Sequence, residues 1–335
     1  MSLEQKVTLY ANVLNEADSI DQLLTSLINQ TRPPDELIFI DGGSRDGTIE
    51  RIMHFQESHA NVKLVRYPGC SIAEGRNMGF SSASFDLVAS IDGGCRAKND
   101  WLENLLKEAR PAIDIVSGSY LPDPQTRFER CVGDLMYPDI KSLPDDWDSP
   151  SHRSVLIRKR VWEALGGFPP YLVLSEDTWF NLEAARRGFK FKLARDAVVY
   201  WRPRRNLVEV FKSSFRWLMS DVKYRIGMER LHRRVFGRML ADVVAVFGWC
   251  VALATTIAIS PLLGGLGLVV LTLLMIRPFR TVHYFHSEKS FRNKITKNLI
   301  LLTLSAVLLL GYAVGILAHF RQKQLVATAS GTKPP

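Results

Sequence analysis

Short apolar runs of strand length alternate with segments of helical period from Lys6 to Gly118, and this alternation limits the fold more tightly than any other feature. Val7–Ala11, Glu36–Ile40, Val62–Val65, Leu87–Ile91 and Ile113–Val116 are partly β-branched runs. Between them, Ile20, Leu23, Leu24, Leu27 and Ile28 recur at helical spacing, and Ile49, Ile52, Met53 and Phe55 do so more loosely. Strands alternating with helices predict a mostly parallel sheet covered on both faces, a Rossmann-like α/β arrangement. Ligands of such sheets bind beyond the carboxyl ends of the strands, so the loops there should carry the chemistry. Asn12–Asp18, Asp41–Thr48 and Asp92–Lys98 are the three such loops that stand out. Residues 119–150, rich in Pro and Asp and without clear periodicity, are read as an excursion, either a plain surface loop or one facing an acceptor.

Charge divides the chain. Residues 1–200 hold 23 Lys/Arg against 29 Asp/Glu, whereas residues 201–335 hold 20 against 5. The excess positive charge flanks the most apolar stretches, which suits anionic lipid headgroups and argues against nucleic acid. Zinc-ligand spacing, an RNA-binding aromatic motif and a basic zipper are all missing, and the seven histidines, His283 and His286 included, show no ligand spacing. Leu207, Phe211, Phe215, Leu218 and Val222 form one stripe among Lys212, Arg216, Lys223 and Arg225, so 206–238 is expected to be an amphipathic, interfacial helical segment. The apolar segments 240–259, 261–276 and 299–320 are expected to be transmembrane helices, the middle one marginal in length, leaving 321–335 as a short tail. The loop 277–297 carries six Lys/Arg and one acid, which by the positive-inside rule puts it, with the N-terminal domain, on the cytoplasmic side of the inner membrane. Cys70, Cys95, Cys131 and Cys250 form no CxxC pair and are read as reduced thiols. The first residues form a polar turn and a strand rather than a signal peptide, which again predicts a cytoplasmic domain.

A series of motifs then points to a family. Val7–Glu16 is similar to a strand ending in a "YNE" turn, with Pro and Tyr replaced, and Gln30-Thr31 with Pro34–Ile38 resembles a link into the second strand. Asp41-Gly42-Gly43-Ser44-Arg45-Asp46-Gly47-Thr48 looks like "DDGSxDGT", and Gly75-Arg76-Asn77-Met78-Gly79 matches "ARNxG". Asp92-Gly93-Gly94 stands in the place of a DxD motif, and Gly166-Gly167-Phe168-Pro169 leads to Glu176-Asp177 as in "GGF…ED". In this order over nearly the first 200 residues, the motifs resemble family 2 glycosyltransferases of the GT-A fold. The resemblance implies a GT-A catalytic domain over 1–205, attached to a membrane domain over 239–320. It also implies inverting, hexosyltransferase-type chemistry with a nucleotide-sugar donor.

Sugar transfer needs a stabiliser for the departing diphosphate and a base for the acceptor hydroxyl. The resemblance assigns Asn12, Asn15, Glu16, Asp41, Gly43, Arg76, Asp92 and Gly93 to the nucleotide sugar, and Asp177 with Glu176 to catalysis. Asp177 would deprotonate the acceptor for a single in-line displacement. A simpler reading makes Asp41 and Asp92 turn residues and the Glu176-Asp177 pair helix N-terminal acids. Two departures stand out. Gly42 replaces an Asp that contacts the base, and Gly94 replaces the metal-binding Asp of DxD. A divalent cation, Mg or Mn, would then rest on Asp92 and other groups, or positive charge from Arg96, Lys98 or Arg76 would take its place at the diphosphate.

Arg202, Arg216 and Trp217 are read as acceptor- or membrane-side residues, the last two because Ser213–Trp217 weakly resembles a "QxxRW" motif that lacks its Gln. A membrane location points to a lipid-linked or glycan acceptor in polysaccharide or glycolipid assembly, and an oligomer is allowed. The alternatives are a processive polysaccharide synthase and a catalytically silent membrane scaffold.

Overall fold

Residues with odd numbers along Val7–Val13 are apolar and bury themselves against one helical layer, while Tyr10 on the opposite face packs against the other. This two-sided burial is what the run of apolar residues required. In the computed structural model, which describes residues 5–227, 296–297, 300, 310 and 314–321, that strand is β1. The chain divides into two compact units, Met1–Pro203 and Arg204–Pro335.

In the first unit, β1 is followed by α1 (Ile20–Ile28), β2 (Glu36–Asp41), α2 (Thr48–Glu57), β3 (Val62–Arg66), α3 (Ile72–Ser82) and β4 (Leu87–Asp92). Strands β3, β2, β1 and β4 pair in parallel in that spatial order. The register sets Val13 beside Asp41 and Asn12 beside Asp92, so β1, β2 and β4 end level and their loops meet at one edge. Next come β5 (Cys95–Ala97), α4 (Trp101–Glu108), β6 (Ile115–Pro122), α5 (Arg127–Met136), β7 (Val155–Arg158), α6 (Lys159–Leu165), α7 (Glu176–Arg186) and β8 (Phe191–Trp201). They complete an eight-stranded sheet in the order β3-β2-β1-β4-β7-β6-β8-β5. Strand β7 is antiparallel to β4 and β6, and β5 is antiparallel to β8. The expected mostly parallel sheet is therefore parallel in its first half and mixed in its second, an arrangement that fits the GT-A expectation.

Leu23, Leu27, Trp101 and Leu105, from α1 and α4, fill one face of the sheet, while Phe80, Val161, Phe168 and Phe180 fill the other. Fully burying side chains of this size contributes roughly 1.5–3 kcal/mol each. On the second face α3 lies very close to the sheet: a Cβ at Gly79 would stand 2.6 Å from the Tyr10 ring. The last glycine of the Gly75–Gly79 motif is thus a packing requirement.

Residues 119–150 differ from the expected excursion. They hold the end of β6, helix α5 and a short 3-10 turn at Ile140–Ser142. Helix α5 starts at Thr126, whose side chain accepts from the Glu129 N–H, and it buries Glu129 with Cys131 and Val132. A charged residue in the buried stripe broke the apolar period that would have revealed the helix.

In the second unit α8 (Leu207–Tyr224) opens with Asn206 accepting from the Glu209 N–H at 2.9 Å. It buries Val210, Ser214, Leu218 and Val222, the last two from the predicted apolar stripe, and leaves Leu207 and Phe211 of that stripe exposed. Within this unit Gly315 lies against Val222, and the His319 ring is 2.9 Å from the Lys223 carbonyl oxygen. The remainder of 206–238, the segments 240–259 and 261–276, most of 299–320 and nearly all of 321–335 lie outside the described residues. Among the described residues no helix is long and apolar enough to cross a membrane. Cys70, Cys95 and Cys131 are free thiols, and Cys250 lies outside the described residues.

Candidate active site

The level ends of β1, β2 and β4 are tied together by short side chains bonding to backbone. Asp41 is fully buried and accepts from the Gly43 N–H at 2.9 Å and the Ser44 N–H at 3.2 Å. Gly43 has φ +104, a left-handed conformation that glycine adopts without a Cβ penalty. Asn15 accepts from the Arg45 N–H while its own N–H donates to Ser44 Oγ, and the Glu16 N–H donates to Thr48 Oγ1 at 2.8 Å. Asp41, Gly43 and Asn15 thus build the loops that a nucleotide would meet. The backbone of Asn12 contributes too, its carbonyl accepting from the Gly93 N–H at 3.1 Å.

Glu16 accounts for the two glycines after Asp92. A Cβ at Gly93 would stand 2.9 Å from Glu16 Cγ, and one at Gly94 would stand 3.4 Å from Glu16 Oε2. The Glu16 side chain therefore fills the space over this turn, and an Asp at 94 would bring a second carboxylate against it. Burial raises the Glu16 pKa, and Asp92 and Asp46 add to the rise, although a bond from Ser19 opposes them. Gly42 is different. A Cβ there would make only ordinary contacts with Leu14 and Cys70 at 3.7–3.8 Å, so space does not exclude an Asp.

Two helices from distant parts of the chain close the other side. Arg76 on α3 is buried, donates from Nε to Glu176 at 3.0 Å and sets Nη2 3.6 Å from Asp92. Its neighbour Asn77 donates to the Phe168 carbonyl at 2.8 Å and accepts from the Phe168 N–H and from Trp162 Nε1. The Arg76-Asn77 pair thus clamps both the Gly166–Pro169 loop and the start of α7. Burial first, and then the charge of Asp177, push Glu176 up to about 7 despite its bond to Arg76. One guanidinium does not neutralise three neighbouring acids. Asp177, half-buried beside Glu176, accepts at Oδ1 from the Thr178 N–H at 2.7 Å. Ser175, just before Glu176, is held at φ +66, a conformation that a residue with a Cβ adopts at a cost. Asp92, Glu176 and Asp177 thus gather around Arg76.

Sequence reasoning missed the second arginine of this cluster. Arg153 sets Nε 3.7 Å from the other Asp92 oxygen and lays its guanidinium 3.9 Å from the Trp201 ring centre. Ser151-His152-Arg153-Ser154 matches none of the motifs and sits just before a strand, so nothing local marked it. The expected cations engage elsewhere. Arg96 stacks on Tyr200 at 4.3 Å and pairs with Asp123 at 3.2 Å, and Lys98 pairs with Asp100 at 3.0 Å. Arg202 donates twice to buried Glu129, at 2.8 and 3.1 Å, and so fastens the end of β8 to α5. Arg216 and Trp217 are exposed on α8 in the other unit.

Asp92 with Glu16 offers two carboxylates at the turn, and among the described residues no three His, Cys, Asp or Glu side chains gather for a metal. Mg²⁺ and its like often take one or two carboxylates and complete their shell with phosphate oxygens and water. The residues fit an open site of that kind and do not fit a closed protein cage.

Two families of known proteins match this chain. The model of glycosyl transferase family 2 matches residues 12–160, and that of family 21 matches residues 147–313. Over 236 residues, 65% of this chain and 76% of the relative, it is 27% identical to glycosyltransferase AglE of Haloferax volcanii. The O-antigen chain rhamnosyltransferase RfbN of Salmonella typhimurium is 25% identical over 58% of this chain and 65% of its own length. This chain is a glycosyltransferase. In fold, the glycosyltransferase is similar to the mannosyltransferase PcManGT of Pyrobaculum calidifontis, solved with GDP-Man and Mn²⁺. That match has a TM-score of 0.65 and 19% identity, covering 92% of this chain and 88% of the other. The family 2 match runs from the end of β1 through β2, β3 and β4 of the glycosyltransferase's sheet to beyond Arg153, but stops before Glu176 and Asp177.

Proposed function

We infer that the chain moves a sugar from a nucleotide-sugar donor to a lipid-linked or glycan acceptor with inversion, using Asp177 as the base. The observation that carries this reading is the Arg76 bridge, 3.0 Å to Glu176 and 3.6 Å to Asp92. It brings the start of α7 against the strand end where the donor's diphosphate would lie. The donor enters beyond β1, β2 and β4, its nucleotide received by the loops that Asp41 and Asn15 hold in shape. Thr178 occupies Asp177 Oδ1, and Oδ2 remains to accept the acceptor's proton. As oxygen attacks the anomeric carbon, the bond to the diphosphate breaks and negative charge grows at the strand end beside Arg76. A fixed cation at that place stabilises the charge without reorganising. A bound Mg²⁺ or Mn²⁺ would share that charge, with Asp92, aided by Glu16, the residue to hold it.

The membrane setting rests on the sequence. The apolar segments 240–259, 261–276 and 299–320 and the basic loop 277–297 support catalysis at the inner face of a membrane. Both parts can be tested by screening nucleotide sugars with membrane lipid extracts, comparing wild type with Asp177→Asn. Labelled lipid made by the wild type alone is the expected result. Equal turnover by the variant would refute the base, and repeated additions to one acceptor would turn the reading toward a processive synthase.

A further inference from the structure

Arg153 is held from several sides. Ser90 Oγ on β4 donates to the His152 carbonyl at 2.8 Å and pins the backbone next to it. His152 is fully buried, its ring edge-on to Phe168 and Phe180 at 5.1 and 5.8 Å, and burial keeps it well below the usual histidine pKa, hence neutral. That plug fixes where Arg153 leaves the chain. Its Nη1 donates to Ser151 Oγ at 2.9 Å, and its plane lies on Trp201. The guanidinium therefore has little freedom left to lose on binding a ligand, and among the described residues Nε has no hydrogen-bond partner.

Its charge is not committed as that of Arg76 is. Arg76 has a side chain 5% exposed and is bonded to Glu176, whereas Arg153 is 22% exposed and, among the described residues, pairs with no acid but Asp92, at 3.7 Å. An anion arriving at the end of β4 thus meets Arg153 before Arg76. A planar guanidinium binds phosphate through two parallel N–H donors, and a stacked one is already oriented to do so. Gly94 has meanwhile removed the carboxylate with which the DxD pattern would hold a cation.

We propose that Arg153 is a binding residue for the donor's diphosphate, supplying from a Trp201-backed guanidinium the positive charge that the Gly94 position no longer recruits. This rests on the nucleotide-sugar reading above and adds to it a residue and a mode of recognition. With the diphosphate as its partner, the guanidinium would no longer need Asp92, whose carboxylate would then be free for a sugar hydroxyl or a cation.

The test titrates the full-length protein calorimetrically with UDP, GDP, ADP and CDP, and with each parent nucleoside, in EDTA and again with Mn²⁺. For the diphosphate that binds, Arg153→Gln should weaken affinity by about 10- to 100-fold in both conditions, as expected for lost charged hydrogen bonds. Affinity for the nucleoside should stay within about twofold, since a residue on the diphosphate leaves the base and ribose contacts alone. Arg153→Lys keeps the charge without the fork and should recover part of the loss; it carries the test if the Gln variant shows no thermal unfolding transition. Equal weakening of diphosphate and nucleoside would reduce Arg153 to a structural residue and overturn the proposal, as would unchanged diphosphate affinity. Failure of the folded wild type to bind any of the four diphosphates would instead bring down the donor reading itself.

Discussion

The two sides of the cleft handle buried charge in opposite ways. On the side built by the first half of the chain, the buried acid Asp41 is satisfied by backbone close to it in sequence. Asp41 accepts from the N–H groups of Gly43 and Ser44, two and three residues on. On the other side, acids face arginines brought from far away: Glu176 meets Arg76 across a separation of 100 residues, and Asp92 lies between Arg76 and Arg153. The first arrangement shapes a loop and saturates its acid. The second leaves charge only partly compensated, which is where a reaction that creates negative charge can draw on it.

The contrast can be broken from either side. Asp177→Asn should lower kcat by about 10³- to 10⁴-fold, the upper range for loss of a positioned base, with an unchanged unfolding midpoint. A variant that loses stability in step with activity would make Asp177 structural. Arg76→Met should cost about 3–5 kcal/mol in denaturant unfolding, because it leaves buried acids without their cation. A loss below 1 kcal/mol would show that the cluster tolerates its own charge. Glu176 makes a pH test. Its pKa is raised to about 7 in the folded protein, so folding favours its protonated form. Its penalty is absent below about pH 4.5 and complete above about 7, and stability should fall over that interval by roughly 2–3 kcal/mol. That slope should vanish in Glu176→Gln. Asp41→Asn should have the smallest effect, about 1 kcal/mol of stability and a higher donor KM at unchanged kcat, since it loses only hydrogen bonds within a turn. A large fall in kcat would move Asp41 to the reacting side.

The same contrast explains what the sequence made legible. Strands β1 to β4 and their loops are local patterns: apolar runs, Asp-Gly turns, a glycine at φ +104. Each can be read within ten residues. Strand β7 is four residues long and β5 three, too short for periodicity to show, and their antiparallel insertion depends on partners elsewhere in the chain. Helix α5 was hidden by the buried Glu129, whose partner Arg202 lies 73 residues away. Arg153 had no motif at all. Its place beside Asp92 follows from β4 pairing with β7, a contact that only the folded sheet creates.

Helix α3 has a mechanical consequence. It rests directly on Tyr10 through Gly79, holds the Phe168 loop through Asn77 and grips the first residue of α7 through Arg76. These three attachments tie the start of α7, where Asp177 stands, to the strand bed rather than leaving it as a hinged arm. On the proposed reading, the spacing between Asp177 and the strand end where the diphosphate would lie is then set by the fold before any substrate arrives.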